Sequence, residues 1–178
     1  ETVAAGKKVN STIYLSSNEL KAAGIDHVGK VELYFKTYEP NDYTNQHVYP
    51  VLTVQTSNFD KMDGANSDGV ELYNEHGIRI VGKHVDENTF WGSDILLYIE
   101  NNSNQTYNIS CDDLSINGFM VTDYFSCTIL PGKKAVDEIG LSSSSLEENG
   151  IEKIEQAELK FKITNPDNYK EHYESRII

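Results

Sequence analysis

The sequence predicts an all-β fold that contains an internal repeat. Residues 2–43 align without a gap over residues 128–169, and 17 of the 42 aligned positions are identical. Short segments of alternating apolar and polar residues follow one another, separated by Gly, Pro, Asn, Asp and Ser. Self-similarity at a fixed offset indicates a repeated structural unit, and period-two alternation is typical of β-strands.

The offset of 126 residues between the aligned segments sets the predicted domain boundaries. Residues 1–52 are interpreted as the C-terminal half of a first β-sandwich unit, and residues 69–178 as a complete unit. Residues 53–68 are rich in Asn, Asp, Ser and Gly and are predicted to be a linker. The chain is therefore expected to be a tandem repeat of one partial and one complete unit.

The complete unit begins with a predicted hairpin, in which residues 69–73 and 78–85 flank a four-residue loop. Residues 94–100 are apolar on both faces for most of their length, which predicts a central strand covered on both sides. Further strands are predicted at residues 107–111, 114–116, 119–121, 125–130, 135–141, 157–163 and 173–178.

Turn residues separate these strands. Asn117-Gly118 tolerates positive φ at both positions and predicts a type I′ hairpin, and Pro131-Gly132 predicts another turn. Residues 141–150 are predicted to form one or two helical turns that a serine caps and Gly150 ends. Many short strands with regular turns, and one short helical turn per unit, favour an immunoglobulin-like antiparallel β-sandwich.

The core of this sandwich is predicted from the alternation after the helix. Leu159 and Phe161 alternate with charged residues, and Leu33 and Phe35 do so in the earlier copy. One face of each strand is therefore expected in the core and the other in water. The predicted core residues are Ile139, Leu141, Leu159 and Phe161.

The partial unit raises a question of stability. Residues 1–52 would supply a few strands and a helical turn, too little to form a core alone. Three alternatives are open: a missing N-terminal segment completes it, it packs on the complete unit, or strands are exchanged between molecules. Because the chain begins within a repeat, its own N-terminus and any targeting segment are expected to have been removed.

Composition and charge exclude several classes of partner. The chain has 38% hydrophobic and 24% charged residues, a balance typical of a folded domain. Its formal net charge is −13, which disfavours nucleic acid and anionic lipid as partners. No apolar stretch approaches the ~18 residues of a membrane span, so membrane insertion is not expected.

Few residues suggest chemistry. The two cysteines, Cys111 and Cys127, fall on inward phases of neighbouring predicted strands, so a disulfide and a pair of buried thiols are both open interpretations. The five histidines occupy scattered positions without metal-ligand spacing, and no nucleophile elbow is present. Neither catalytic residues nor a metal or organic cofactor is predicted.

Two loops are candidates for ligand contact. Residues 60–71 carry several carboxylates, but alignment with a calcium loop places Gly64 where an aspartate is needed, so an acidic linker is favoured over a looser calcium site. Phe90 and Trp91 lie in a predicted loop, where the tryptophan would either plug the sandwich end or stack on a sugar ring.

Three segments of the chain carry a resemblance to known proteins: GVELYNEHGIRIVGKHVDENTFWGSDILLYIENNS, DLSINGFMVTDYFSCTILPGKK and LEENGIEKIEQAELKFKI. In these segments the sequence resembles a group of exported, often lipid-anchored, proteins of Gram-positive bacteria. The phrase IENNS at residues 99–103 is similar to a strand end of secreted immunoglobulin-like domains on bacterial lipoproteins. The resemblance implies a β-sandwich, an extracellular or cell-surface location and a repeat arrangement, without an activity.

Three functions follow as hypotheses. The favoured one is a non-catalytic cell-surface or secreted module that binds or spaces, with an unidentified protein or carbohydrate as partner. The alternative is a carbohydrate-binding module that uses exposed aromatic residues. The third is an enzyme with a site between the units.

Overall fold

The structure is a computed structural model that describes residues 2–62, 64, 66–89, 92–170 and 172–178. Within these residues the fold is mostly β-strand, with several antiparallel sheets and two small helices, as the all-β prediction requires. The chain divides into two compact units, unit 1 (residues 1–66) and unit 2 (residues 67–178). The division falls inside the predicted linker 53–68.

The described residues of unit 1 form one short helix and two small antiparallel sheets. Its elements are α1 (Ser17–Ala22), β1 (Lys30–Leu33), β2 (Lys36–Glu39), β3 (Asp42–Val48), β4 (Leu52–Gln55) and a 3-10 turn (Phe59–Lys61). β1 pairs with β4, and β2 pairs with β3. The first residues of the predicted linker therefore belong to a strand.

Local signals fix both ends of α1. The Ser16 hydroxyl accepts a hydrogen bond from the Glu19 amide at 3.3 Å, which satisfies one of the free amides of the first turn. Gly24 follows the helix with φ 70°, and its amide donates to the Lys21 carbonyl at 2.9 Å. This backbone conformation favours glycine and ends the helix.

Unit 2 contains ten strands and the second helix among its described residues. They are β5 (Val70–Glu75), β6 (Ile78–Thr89), β7 (Gly92–Asn101), β8 (Tyr107–Ile116), β9 (Phe119–Met120), β10 (Asp123–Tyr124), β11 (Ser126–Ile129), β12 (Lys134–Ser142), α2 (Ser143–Glu148), β13 (Ala157–Thr164) and β14 (His172–Glu174). One sheet has the order β10-β12-β7-β6-β5 and the other β11-β8-β13-β14, with β9 paired to β8.

One cluster of buried side chains includes residues from both sheets of unit 2. Ile139 and Leu141 come from β12, whereas Leu159 and Phe161 come from β13; all four are at most 5% exposed, which confirms the predicted core. Period-two alternation explains the arrangement, because it directs every second side chain of a strand to the same face.

β7 is the middle strand of its five-stranded sheet, as the continuous apolar run predicts. Leu97 and Ile99 join the core cluster, and Tyr98, on the opposite face, is also fully buried. Residues on both faces of β7 are therefore covered.

Two tight hairpins have both turn residues at positive φ. Asn117 and Gly118 have φ 50° and 85°, and the flanking residues Ile116 and Phe119 pair, which confirms the predicted two-residue turn. The predicted four-residue loop at 74–77 is wrong in length. Glu75 pairs with Ile78, so only His76 and Gly77, with φ 54° and 78°, form the turn.

The helix of unit 1, its closing backbone hydrogen bond and Gly24 have counterparts 126 residues later. Helix α2 occupies the positions of α1 plus 126 at both ends. Ile25 donates its amide to the Leu20 carbonyl at 2.8 Å, and Ile151 donates to Leu146 at 2.9 Å. Gly150 has φ 66°, close to the 70° of Gly24.

Strand pairing follows the same offset. The Lys36–Val48 pair of β2 and β3 corresponds to the Lys162–Glu174 pair of β13 and β14. The segments differ before the helix, where residues 7–16 belong to no strand although residues 134–142 form β12.

Candidate functional site

A polar cleft of about 550 Å³ lies on the outer face of the β11-β8-β13-β14 sheet. Its lining includes Asn108, Ser110, Asp112, Lys162 and Tyr169. Ser110 lies between the buried residues Ile109 and Cys111, so the cleft is on the face opposite to the core. Asp112 and Lys162 approach to 3.9 Å. This surface offers hydrogen bonds and an exposed ring to a polar ligand.

Exposed aromatic side chains gather on the β2–β3 hairpin. Tyr38 and Tyr43 have ring centroids 5.1 Å apart, and His47 and Tyr49 meet edge to face at 4.5 Å. Tyr38 and Tyr43 also line a cleft of about 470 Å³ together with Lys36 and residues at the start of the chain. This aromatic cluster was not among the predicted ligand contacts, although the density of tyrosines between residues 38 and 49 is a sequence signal for it.

An ionic network surrounds Glu100 on β7. Tyr98 donates its hydroxyl to Glu100 Oε1 at 2.7 Å, Lys134 Nζ lies 3.4 Å from the same oxygen, and Arg79 Nη1 lies 3.5 Å from Oε2. The Tyr98 hydrogen bond, helped by the cations, lowers the pKa of Glu100. Burial and the neighbouring carboxylate raise the pKa of Tyr98. Each of these groups has a hydrogen-bond or ionic partner within the network, which indicates that the network stabilises the sheet.

Asn101, at the end of β7, organises a buried corner. Its side-chain amide donates to the carbonyls of Gln105 at 2.7 Å and Ile129 at 3.1 Å. Its side-chain oxygen accepts from the Ser103 amide at 3.0 Å and hydroxyl at 2.6 Å. Part of the IENNS phrase therefore joins β7 to the following turn and to β11, because a fully buried amide needs such partners.

Both cysteines are buried and free in the structure. Cys127 pairs with Ile109, so Cys111 is its diagonal neighbour on the adjacent strand. Diagonal neighbours lie about 7–8 Å apart, beyond the Cα separation of most disulfides, which is at most about 7 Å. Burial raises the pKa of both thiols to about 12, which suppresses the reactive thiolate. The disulfide remains a prediction that a thiol count tests.

His76, at an exposed position of the β5–β6 turn, has a structural role. Its ring stacks on Tyr173 with centroids 3.8 Å apart, and its Nδ1 lies 2.9 Å from the Tyr73 hydroxyl. The stack joins the β5–β6 turn to β14. Residues almost a hundred positions apart make this contact, so local sequence patterns give no signal for it.

The two predicted ligand loops fall partly or wholly outside the described residues. Phe90 and Trp91 are both outside them, and the predicted contact there remains a prediction. In the acidic stretch 60–71, residues 63 and 65 are also outside. Within the described part of the chain, no group of three or more His, Cys, Asp or Glu residues could hold a metal ion.

Comparisons of the chain with protein families, with curated proteins and with solved structures found no match. None of the helices in the described ranges has the length and apolar character needed to cross a membrane. The features that bear on function are therefore the polar cleft, the aromatic cluster and the matching backbone contacts that lie 126 residues apart in the sequence.

Proposed function

We propose that the chain is a non-catalytic module of an exported bacterial protein, built from one partial and one complete immunoglobulin-like sandwich unit. Its role is to bind a protein or a carbohydrate partner at the cell surface, or to act there as a spacer domain. The constant 126-residue offset in backbone contacts is the observation that carries this proposal.

What the two segments share supports a structural role. The identical pairs Gly24/Gly150 and Leu20/Leu146 occupy a helix end and a helix. In the third identical pair, Phe161 lies in β13 and Phe35 lies directly before β2. Helix and helix-end positions are thus repeated, as in chains where one structural unit is used more than once. Repetition of such residues favours a scaffold over a reaction centre.

The arrangement of unit 2 supports the sandwich assignment. Two antiparallel sheets contribute to one core cluster, and the β12-α2-β13 segment passes from the first sheet to the second. Adjacent strands in sequence that lie in different sheets are typical of immunoglobulin-like topologies. The short helix serves as the crossover.

Export is proposed from the resemblance of residues 69–178 to secreted and lipid-anchored bacterial proteins. Protease treatment of intact Gram-positive cells that produce the protein tests it. Digestion of the protein on intact cells, while a cytosolic marker survives, is expected. Digestion only after lysis would contradict the cell-surface location.

A second candidate function, carbohydrate binding, is favoured by the aromatic cluster on the β2–β3 hairpin. Exposed rings beside polar groups are suited to stacking on sugar faces. Removal of one ring of the Tyr38–Tyr43 pair, by Tyr43→Ala, is expected to weaken binding of a polysaccharide about five- to tenfold. Tyr14, which is 88% exposed and belongs to no ring pair among the described contacts, provides the matched Tyr14→Ala control. Equal affinities of the two variants would remove this candidate.

A further inference from the structure

Three apolar side chains of unit 1 are exposed although their counterparts form the core of unit 2. Ile13 is 61% exposed and Leu15 51%, whereas Ile139 and Leu141 are 0% and 3% exposed. Phe35 is 44% exposed, against 0% for its counterpart in β13. The residue types are identical, so the difference arises from what surrounds them.

In unit 2, the strand that lies beside Ile139 and Leu141 in the sheet is β7, and the strand that lies beside Phe161 is β8. β12 pairs with β7 along its whole length, from Lys134 opposite Glu100 to Ser142 opposite Gly92. The corresponding residues 8–16 of unit 1 belong to no strand. Their sequence keeps the inward pattern of β12, because Ile13 and Leu15 stand where Ile139 and Leu141 do.

The strands β1 and β2 of unit 1 also have an open side. In unit 2, β13 lies between β14 and β8. In unit 1 the β14 side is filled, because β3 pairs with β2 and β4 pairs with β1. Among the described residues, β1 and β2 have no second strand on the side where β8 lies in unit 2.

An open strand edge beside alternating apolar side chains selects for a particular kind of occupant. The edge presents amide and carbonyl groups in a row, and the alternate side chains need apolar contacts. An added β-strand satisfies both requirements at once. A second copy of the chain is a poor donor, since its own β7 and β8 already pair with β12 and β13.

We infer that residues 8–16 and 31–38 form an acceptor surface for a polypeptide that supplies two antiparallel strands of the β7 and β8 type. The inference rests on the proposed two-copy architecture and adds the partner's chemistry and register. The donor strand on residues 8–16 runs antiparallel, with alternate apolar residues facing Ile13 and Leu15.

The pairing in unit 2 specifies the donor further. Lys134 Nζ lies 3.4 Å from Glu100, so Lys8 selects an acidic residue at the equivalent donor position. Ile139 faces Ile95 in the ladder, so an aliphatic residue is selected opposite Ile13. Phe161 pairs with Cys111, which selects a small residue opposite Phe35.

The test joins a donor to the acceptor in one chain. Residues 69–127 of this sequence contain β5 to β10 and the first two residues of β11, and residue 128 corresponds to residue 2. A fusion of residues 69–127 directly to Thr2 of the full chain therefore offers β7 and β8 without a designed linker. Amide hydrogen exchange at residues 8–16 is measured in the fusion and in the original chain.

Exchange at residues 8–16 is expected to slow at least about a hundredfold in the fusion, because new strand pairing protects these amides. Ile13→Asp with Leu15→Asp should abolish this protection. The matched pair Thr12→Asp with Tyr14→Asp, at the outward positions, should preserve it. Unchanged exchange in the fusion, or equal loss with both variant pairs, would overturn the inference.

A second experiment, with the donor as a separate fragment, applies if the fusion does not fold. The fragment 69–127, added to the full chain, is expected to slow exchange at residues 8–16 and not to expose residues 134–142. Concentration-dependent protection of residues 8–16 in the chain alone would assign the surface to a second copy and overturn the proposed donor. The hydrogen bonds of residues 31–52 can match those of residues 157–178 while the amides of residues 8–16 stay unprotected. In that case the proposed acceptor surface is wrong and the two-copy architecture stands.

Discussion

Phe35 and Phe161 accept the same backbone hydrogen bond in two different environments. The Phe35 carbonyl accepts from the Tyr49 amide at 3.0 Å, and the Phe161 carbonyl accepts from the Ser175 amide at 2.9 Å. Both donors lie fourteen residues after the acceptor. Phe161 is fully buried, whereas Phe35 is 44% exposed, so equivalent backbone positions differ in the packing around the ring.

This difference predicts unequal effects of the same substitution. Phe161→Ala should lower the free energy of unfolding by about 3–5 kcal/mol, because it removes a buried ring and leaves a cavity. Phe35→Ala should cost less than about 1 kcal/mol, since solvent already reaches much of its ring. Urea unfolding followed by circular dichroism measures both. A similar cost for the two variants would contradict the difference in burial.

A second matched pair tests the buried corner at the end of β7. Asn101→Ala removes four hydrogen bonds and leaves the Gln105 and Ile129 carbonyls with lost partners, so a cost of about 2–4 kcal/mol is expected. The exposed neighbour Asn102 keeps its backbone bond to the Gly77 carbonyl, and Asn102→Ala should change stability by less than about 0.5 kcal/mol. Thermal unfolding of both variants should show a clearly lower midpoint temperature for Asn101→Ala alone.

The thiols predict a loss of stability at alkaline pH. Folding raises the pKa of Cys111 and Cys127 from the ordinary 9.0 to about 12, so the unfolded chain loses thiol protons first. Their contribution is complete below pH 9 and is lost as the pH rises from about 9 to 12. The double variant Cys111→Ala with Cys127→Ala should show a smaller decrease over this range than the wild type, in urea titrations at several pH values.

A thiol count separates free cysteines from a disulfide. The native protein at pH 8 should react slowly with a thiol reagent, because burial limits both access and thiolate formation. Two thiols should appear after denaturation without reductant. Detection of two thiols only after reduction would establish the disulfide and would require the β8–β11 register to change.

The Glu100 network predicts an effect at acid pH. The pKa of Glu100 is lowered on folding, so its stabilising contribution is present above its ordinary value of 4.5 and disappears as the pH falls through the folded value. Glu100→Gln should cost about 0.5–1.5 kcal/mol at pH 7 and less at pH 3. Glu148→Gln, at an exposed position of α2, serves as the control. A cost of Glu100→Gln that is independent of pH would contradict the ionic contribution.

Much of unit 2 could be predicted from sequence because its signals are local. Alternation places Leu159 and Phe161 in the core, and Asn117-Gly118 specifies its own turn. The length of the β5–β6 turn could not be predicted, since His76 adopts positive φ, which is uncommon for residues other than glycine. The exposure of Ile13 could not be predicted either, because burial of a side chain depends on which strand lies alongside.

Candidate site features were less predictable than the strands. The His76–Tyr173 stack and the Asn101 corner join residues that are distant in sequence or belong to different strands, so spacing along the chain gives no signal for them. The aromatic cluster at Tyr38 and Tyr43 was not among the predicted ligand contacts, whereas Phe90 and Trp91, which were, lie outside the described residues.

Through-hydrogen-bond NMR couplings test the two-copy architecture most directly. We expect a coupling from the Tyr49 amide to the Phe35 carbonyl and another from the Ser175 amide to the Phe161 carbonyl. The pairs Ile25–Leu20 and Ile151–Leu146 should likewise both be detected. If the unit 1 amides instead couple to carbonyls at other positions while the unit 2 couplings are present, the two segments are not copies of one fold.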